Sequence, residues 1–173
     1  METSDLYYNT EVVSPVAARL YDRAKEASEK EWVDYYHFKA LPLHEDWALD
    51  SWAKDLLARH PFQAGIIRLD PYVFYDWHID TDRGVGVNML LNAEGSSHCL
   101  FTRTLKRDSC IAHGSGTNNF VELEYASHTY YLFNTQTAHS VYNFKEPRYL
   151  FSMDFLEDRH TLSYATLRDE LTH

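Results

Sequence analysis

The sequence predicts a mainly β fold, a jelly roll flanked by helices, and three observations carry that prediction. After Pro61 come eight short segments rich in Val, Ile, Tyr and Phe, separated by turn residues, which is how the strands of a sandwich or barrel read. Before Pro61 the apolar residues recur at helical intervals, so helices would buttress one sheet. The 173 residues are 45% hydrophobic and 15% aromatic, enough to build one core and too apolar for a disordered or fibrous chain.

From Ser14 to about Trp32, the residues Val16, Ala17, Leu20, Tyr21, Ala24 and Ala27 fall three and four apart, behind a capping Ser14 and a first-turn Pro15. A second helix is expected from about Glu45 to His60, where Trp47, Ala48, Trp52, Leu56 and Leu57 share a face and Pro61 stops the run. Residues 1–61 therefore read as a mostly helical buttress. Strands are expected at Gln63 to Leu69, Val73 to Asp80, Gly86 to Asn92, His98 to Arg103, Phe120 to Tyr125, Thr129 to Asn134, His139 to Phe144 and Arg148 to Leu156. They make residues 62–156 the jelly-roll core. Thr161 to Leu171 reads as a short closing helix within 157–173, and the whole chain, 1–173, as one domain. The longest break, Lys106 to Asn119, reads as a long hairpin connection or as a flap beside a cavity.

Composition excludes several functions. A net charge of −10 opposes a phosphate backbone, so nucleic acid is not an expected partner. Cys99 and Cys110 are too few for a disulfide framework and lack Cys-x-x-Cys spacing, which points to a reducing compartment. The first five residues are acidic where a secretory leader would be basic, and no apolar run approaches the ~20 residues that span a bilayer. A soluble, cytoplasmic protein with no membrane partner is the expectation.

With ten histidines in the chain, chance alone supplies about one His-x-Asp, so each occurrence must be judged by its place in the fold. In His44-Glu45-Asp46 the pair sits where a helix begins; side chains two apart on a helix diverge, and Asp46 reads as a cap or first-turn carboxylate. In His78-Ile79-Asp80 the pair ends a predicted strand, where alternation puts both side chains on one face. A third ligand is available from His139, at the start of a later strand. Two neutral imidazoles and a carboxylate on one face of an ion leave open positions opposite, the arrangement of non-haem Fe(II) oxygenases. The alternative for His78, Asp80 and His139 is a satisfied polar cluster with no metal.

Nine residues after His139, Arg148 opens an otherwise apolar strand in which it shares a face with Leu150 and Ser152. An inward guanidinium needs an anion, and its fork matches a carboxylate, so a small dicarboxylate would satisfy it. Otherwise Arg148 faces solvent or pairs with a structural acid such as Glu146.

His78-Ile79-Asp80, then His139-Ser140-Val141-Tyr142-Asn143, then Glu146-Pro147-Arg148 before an apolar strand resemble the 2-oxoglutarate and Fe(II)-dependent oxygenases, specifically their aspartyl/asparaginyl β-hydroxylase-like branch. The resemblance covers about Ile66 to Phe155 and is weaker from Arg83 to Leu91. It implies a double-stranded β-helix, cupin-like, in which His78, Asp80 and His139 hold Fe(II). It also implies that 2-oxoglutarate chelates the iron and meets Arg148 with its far carboxylate, and that O2 takes a remaining site. Asn88 and Asn143 follow as candidates for co-substrate binding and for hydrogen bonding behind the site, respectively; either could instead satisfy backbone at a strand end. Ser152 follows Arg148 by four where many relatives have Arg-x-Ser, so it carries no expected role. Well-known animal members of the branch lack the metal-binding carboxylate that Asp80 supplies here, so their substrate is not carried across.

Arg68 and Arg83 are candidates to recognise a substrate carboxylate, and Tyr75 and Trp77 are expected to face away from His78 as core aromatics. The resulting expectation is a dioxygenase that hydroxylates a C–H bond of an amino acid, peptide or protein side chain and releases succinate and CO2. The competing reading is a non-catalytic, cupin-like module that binds a metal or small anion.

Overall fold

The computed structural model describes residues 3–44, 49–92, 97–103 and 120–172. Among these, the strands are β1 (Tyr7–Val13), β2 (Val33–Tyr35), β3 (Phe38–Pro42), β4 (Phe62–Leu69), β5 (Phe74–His78), β6 (Gly86–Leu90), β7 (Ser97–Thr102), β8 (Val121–Glu122), β9 (Thr129–Phe133), β10 (Ala138–Asn143) and β11 (Arg148–Phe155). The α-helices are α1 (Ala17–Glu26), α2 (Ser51–Arg59) and α3 (Tyr164–Thr172). The strands form a seven-stranded sheet, β1-β9-β6-β11-β4-β3-β2, and a four-stranded sheet, β5-β10-β7-β8, with every pairing antiparallel. No described helix is long and apolar enough to cross a membrane.

Each of the eight segments predicted after Pro61 is a strand. The largest differences are β5, which ends at His78 rather than Asp80, and β8, which shrinks to two residues. The Lys106 to Asn119 loop, with Cys110, lies outside the described residues.

Residues 1–61 depart from the helical buttress expected of them, because they also supply β1, β2 and β3. Tyr7-Tyr8-Asn9-Thr10-Glu11-Val12-Val13 is aromatic and β-branched, and it pairs with β9 at one edge of the large sheet. At the other edge β3 pairs with β4, a partner more than 20 residues away, and β2 folds back on β3 as a hairpin. Helix α1 ends at Glu26, and Ser28 with Glu31 closes a capping box around a single 3-10 turn, Glu29–Glu31. Ser14 does not occupy the cap of α1: Val16 does, and the Ser14 hydroxyl donates to Asp50 Oδ2 at 2.6 Å. Asp50 in turn caps α2, accepting from the Ala53 N–H at 3.0 Å, and takes a bond from the Tyr130 hydroxyl at 2.9 Å. Asp46, expected to cap or open this helix, lies outside the described residues.

Alternation along β11 sorts the two cores. Phe151 and Met153 join Ile66, Met89, Leu132 and the buried faces of α1, α2 and α3 on one side of the large sheet. Each fully buried side chain of this kind contributes roughly 2 kcal/mol. Arg148, Leu150 and Ser152 point the other way, toward the small sheet. Between the sheets a second cluster, Leu6, Cys99, Phe101, Leu123, Tyr131 and Phe133, closes part of the gap. The polar residues described next line the rest.

Candidate metal centre and anion site

His78 and His139 sit directly opposite each other on β5 and β10, so pairing alone brings the two imidazoles together, with ring centroids 4.1 Å apart. Asp80 lies beyond the end of β5, so alternation does not place it. Its backbone N–H donates to the Thr135 carbonyl at 3.0 Å and its carbonyl accepts from Gln136 Nε2 at 3.0 Å, which fixes the loop against the β9–β10 turn. The donor atoms of His78, Asp80 and His139 all lie within 4.8 Å of one another. Asp80 Oδ1 stands 3.6 Å from His78 Nε2 and 3.9 Å from His139 Nε2.

Each imidazole is oriented from behind. His78 Nδ1 lies 2.6 Å from the Asp76 carbonyl and His139 Nδ1 lies 2.8 Å from the Thr137 carbonyl. A carbonyl only accepts, so Nδ1 carries the proton and Nε2 presents its lone pair to the cluster. Burial, followed by the neighbouring His78 ring, pushes His139 down to about 3, and burial also holds His78 below the ordinary imidazole value. Both rings are therefore neutral at pH 7. Two neutral nitrogens and one carboxylate oxygen suit a divalent transition metal such as Fe(II). Side-chain exposure rises from 5% at His139 through 14% at Asp80 to 22% at His78, so the cluster has one accessible side.

Facing the small sheet from β11, Arg148 is only 5% exposed. Among the described residues no carboxylate forms an ion pair with it; its guanidinium lies 5.6 Å from the centre of the Tyr125 ring. The Tyr125 hydroxyl is itself buried without a hydrogen-bond partner, and burial raises its pKa, so it remains a donor. Burial likewise pushes the nearby Cys99 up to about 11, which keeps it a thiol and not a metal-binding thiolate. Asn88 on β6 pairs with Ser152, shares the inward face, and buries an unpartnered Oδ1. A buried cation that no described carboxylate offsets and orphaned polar atoms on the same inner surface fit a small dianion such as 2-oxoglutarate. Asn143 does not touch the metal cluster: its Nδ2 lies 2.8–3.0 Å from the carbonyls of Leu69, Asp70 and Glu146 and so ties down the turn that leads into Arg148.

Two of the arginines stand elsewhere than their expected role requires. Arg68 lies on the helix-covered face of the large sheet, over the Trp32 ring and bonded to Glu29 at 2.7 and 3.1 Å, because it is one residue out of phase with the Leu69 position that opposes Arg148. Arg83 does reach the cluster, but as a support: its Nε donates to Asp80 Oδ2 at 2.5 Å and its Nη1 to Asp154 at 3.3 Å. Tyr75 also departs from expectation. Between the His139–His78 and Val141–Tyr75 pairs, β5 spends three residues against two on β10, a bulge that returns Tyr75 to the inner face, 4.0 Å from the His78 ring. Trp77 turns outward and stacks on Phe120 at 5.3 Å, not on the helices. Tyr125, Arg83 and Tyr75 are the site residues that sequence reasoning missed or misplaced; none stands in a motif, and only pairing across the sheets reveals them.

No family model matches the chain, and no curated protein sequence does. Solved structures do. A prolyl-4-hydroxylase from Pseudomonas putida superposes with a TM-score of 0.60 at 14% identity, covering 87% of this chain and 91% of that one. A prolyl hydroxylase from Trichoplax adhaerens, in complex with a hypoxia inducible factor peptide fragment, gives 0.60 at 14% identity over 86% and 81%. HygX from Streptomyces hygroscopicus, with nickel and 2-oxoglutarate bound, gives 0.55 at 13% identity over 86% and 81%. The likeness at this identity is one of fold, and the fold is the double-stranded β-helix that the sequence motifs implied.

Proposed function

We propose that this chain is a single-domain Fe(II)- and 2-oxoglutarate-dependent dioxygenase that hydroxylates a C–H bond of an amino acid, peptide or protein side chain. The observation that carries the reading is a His-Asp-His cluster on one side of the inter-sheet space and, on the other, a buried arginine that pairs with no carboxylate among the described residues. His78, Asp80 and His139 would hold the iron, and Arg148 with the Tyr125 hydroxyl would take the far carboxylate of 2-oxoglutarate. When bound, iron and co-substrate supply the oxidising power drawn from O2, with succinate and CO2 released. The chain's part is orientation. The Asp76 and Thr137 carbonyls fix the imidazole tautomers, Arg83 fixes the carboxylate, and the aromatic cluster around Phe101 and Phe133 keeps water from the inner end.

The aspartyl/asparaginyl β-hydroxylase-like branch belongs to the same proposal and rests on the spacing of His139, Asn143 and Arg148. Peptide substrates gain support from the two similarly folded prolyl hydroxylases, one of them in complex with a peptide. The buried free thiol of Cys99 fits a reducing, cytoplasmic setting. The test is an anaerobic titration with Fe(II) and then 2-oxoglutarate, read by the visible metal-to-ligand charge-transfer band of a bidentate chelate. Appearance of the band, followed by succinate formation in air, is the expected result. Iron binding without the band would instead leave a metal-binding module, and no iron binding would overturn the reading.

A further inference from the structure

A row of aliphatic side chains crosses the inner face of the large sheet in register. Leu90 pairs with Leu150, Leu150 with Ile67, Ile67 with Ala40 and Ala40 with Val33, so the row runs over β6, β11, β4, β3 and β2. Directly paired residues share a face, and Leu150 faces the small sheet, so the whole row does. Exposure grows along it: Leu150 is 6% exposed, Ile67 and Ala40 are half-buried, and Val33 is 54% exposed. Among the described residues, neither of the two apolar clusters includes any member of the row. Its outer half is therefore apolar surface that neither core claims.

Two contacts between the sheets set this row opposite the metal cluster. On one side of it, Phe38, two residues before Ala40 on β3, meets Tyr75 of β5 at 5.5 Å between ring centroids. On the other side, Asp154, four residues after Leu150 on β11, takes a bond from Arg83, which also holds Asp80. Between Tyr75 and Arg83 the chain passes through His78 and Asp80, so these two lie over the stretch of sheet that contains Ile67 and Ala40. His78 is the most exposed of the three candidate ligands, at 22%. Alternation sends Asp34, Lys39 and Arg68 to the helix side, and the inner faces of β2, β3 and β4 carry no charged side chain.

We propose that this row holds an uncharged aliphatic side chain of the substrate against the metal cluster. The proposal deepens the oxygenase reading above and rests on it. An aliphatic group laid on Ile67 and Ala40 removes apolar surface from water on both partners. A carboxylate or ammonium carried to the same place would shed its hydration and meet no opposite charge. The two arginines nearest the cluster have other work: Arg148 serves the co-substrate in the reading above, and Arg83 is held by Asp80 and Asp154. The grading of exposure supplies the way in, from Val33 at the sheet edge, across Ala40, to Ile67. Aspartate and lysine side chains are thereby disfavoured, and leucine-like ones are favoured.

The experiment titrates the full-length chain, methyl-labelled at Ala, Val and Ile and supplied with Zn(II) and 2-oxoglutarate, with three end-capped glycine pentapeptides whose central residue is leucine, aspartate or lysine. The leucine peptide should shift the Ile67, Ala40 and Val33 methyl resonances saturably, and as strongly at high salt as at low, while the other two leave them in place. Ala40→Asp should weaken leucine-peptide binding at least tenfold and admit the lysine peptide, because it sets an unpaired carboxylate in the row. Val33→Thr, which keeps the shape and adds a hydroxyl at an exposed position, should weaken it severalfold with little risk to the fold. Equal shifts with the aspartate or lysine peptide, or undiminished leucine-peptide binding in both variants, would overturn the proposal. The Fe(II)/2-oxoglutarate band, recorded on the same preparations before zinc is added, serves as the fold control. A band without leucine-peptide shifts defeats the aliphatic row alone, and shifts without a band uphold the row and defeat the oxygenase reading.

Discussion

Arg83 Nε donates to Asp80 Oδ2 at 2.5 Å, which leaves the other carboxylate oxygen turned toward the two imidazoles. A free carboxylate on a loop would rotate; the guanidinium stops it, and Asp154 anchors the guanidinium in turn. Arg83→Gln should therefore weaken Fe(II) or Mn(II) binding by about 10–100-fold, the usual cost of losing a group behind a metal ligand. Affinity of the metal-loaded protein for 2-oxoglutarate should stay unchanged, because Arg83 is not aimed at the anion site. Metal titration by calorimetry checks both. An unaltered metal affinity would mean that the backbone bonds of Asp80 to Thr135 and Gln136 suffice to aim it.

Arg148 presents the opposite problem, a buried charge that no described carboxylate meets. Arg148→Met should keep Fe(II) yet weaken 2-oxoglutarate by roughly 30-fold or more, the loss expected for a charge-assisted contact. Without co-substrate the variant should be at least as stable as the parent, since it removes a desolvated cation that no described carboxylate offsets. Thermal melts with and without 2-oxoglutarate read both effects. The parent should gain stability with ligand and the variant should not. A variant that melts lower and still responds to 2-oxoglutarate would remove Arg148 from the anion site.

The parts of this architecture that were legible in the sequence share a cause: they are set by local alternation. The eight strands after Pro61 and the inward set Arg148, Leu150 and Ser152 all follow from period two within one segment. His139 was legible for the same reason, since a strand-start histidine meets the end of the strand opposite. What stayed hidden depends on a partner distant in the chain. The β5 bulge that brings Tyr75 back to His78 exists only relative to β10, and it is invisible in Phe74-Tyr75-Asp76-Trp77-His78 alone. Strand β3 exists because β4 offers an edge, and β2 then pairs with β3. Ser14 looked like a cap and became a hydrogen-bond donor to Asp50, because a buried carboxylate outcompetes a helix end that water can satisfy.

The loop that carries Asp80 and Arg83 is held by the segment before α3, and Gly84 is where they touch. Gly84 bridges to Ser163, the Arg159 N–H donates to the Asp82 carbonyl at 2.8 Å, and Arg159 Nη1 donates to the Thr81 carbonyl at 2.6 Å. A Cβ at Gly84 would overlap the Leu162 carbonyl and press on the Cα atoms of Arg159 and Ser163 at 3.1 and 3.2 Å. Backbone cannot swing aside as a side chain can, so Gly84→Ala should destabilise the chain by about 1–3 kcal/mol. Because the same shift displaces Arg83, metal affinity should fall in parallel. Urea melts and a metal titration on one preparation test the coupling, and full metal affinity in a destabilised variant would separate the two.

Neutral buried imidazoles also fix the pH dependence of the metal-free protein. His139 titrates near 3 when folded and near the ordinary value of about 6.5 when unfolded. Between those values the unfolded chain binds more protons, so stability rises with pH; the penalty is absent above about 6.5 and grows as pH falls toward 3. At about 1.4 kcal/mol per pH unit, His139 alone lowers stability by about 2 kcal/mol at pH 5 relative to pH 7. His78, depressed in the same direction and in ring contact, titrates with it as a pair. Urea denaturation of the parent and of His139→Gln at the two pH values isolates the effect, because glutamine takes no proton. The parent should lose more stability than the variant between pH 7 and 5, by about that margin, and metal affinity should fall over the same interval as protons compete for Nε2. Equal pH dependence in the two proteins would mean that His139 protonates in place, which the closed aromatic surround of Phe101 and Phe133 argues against.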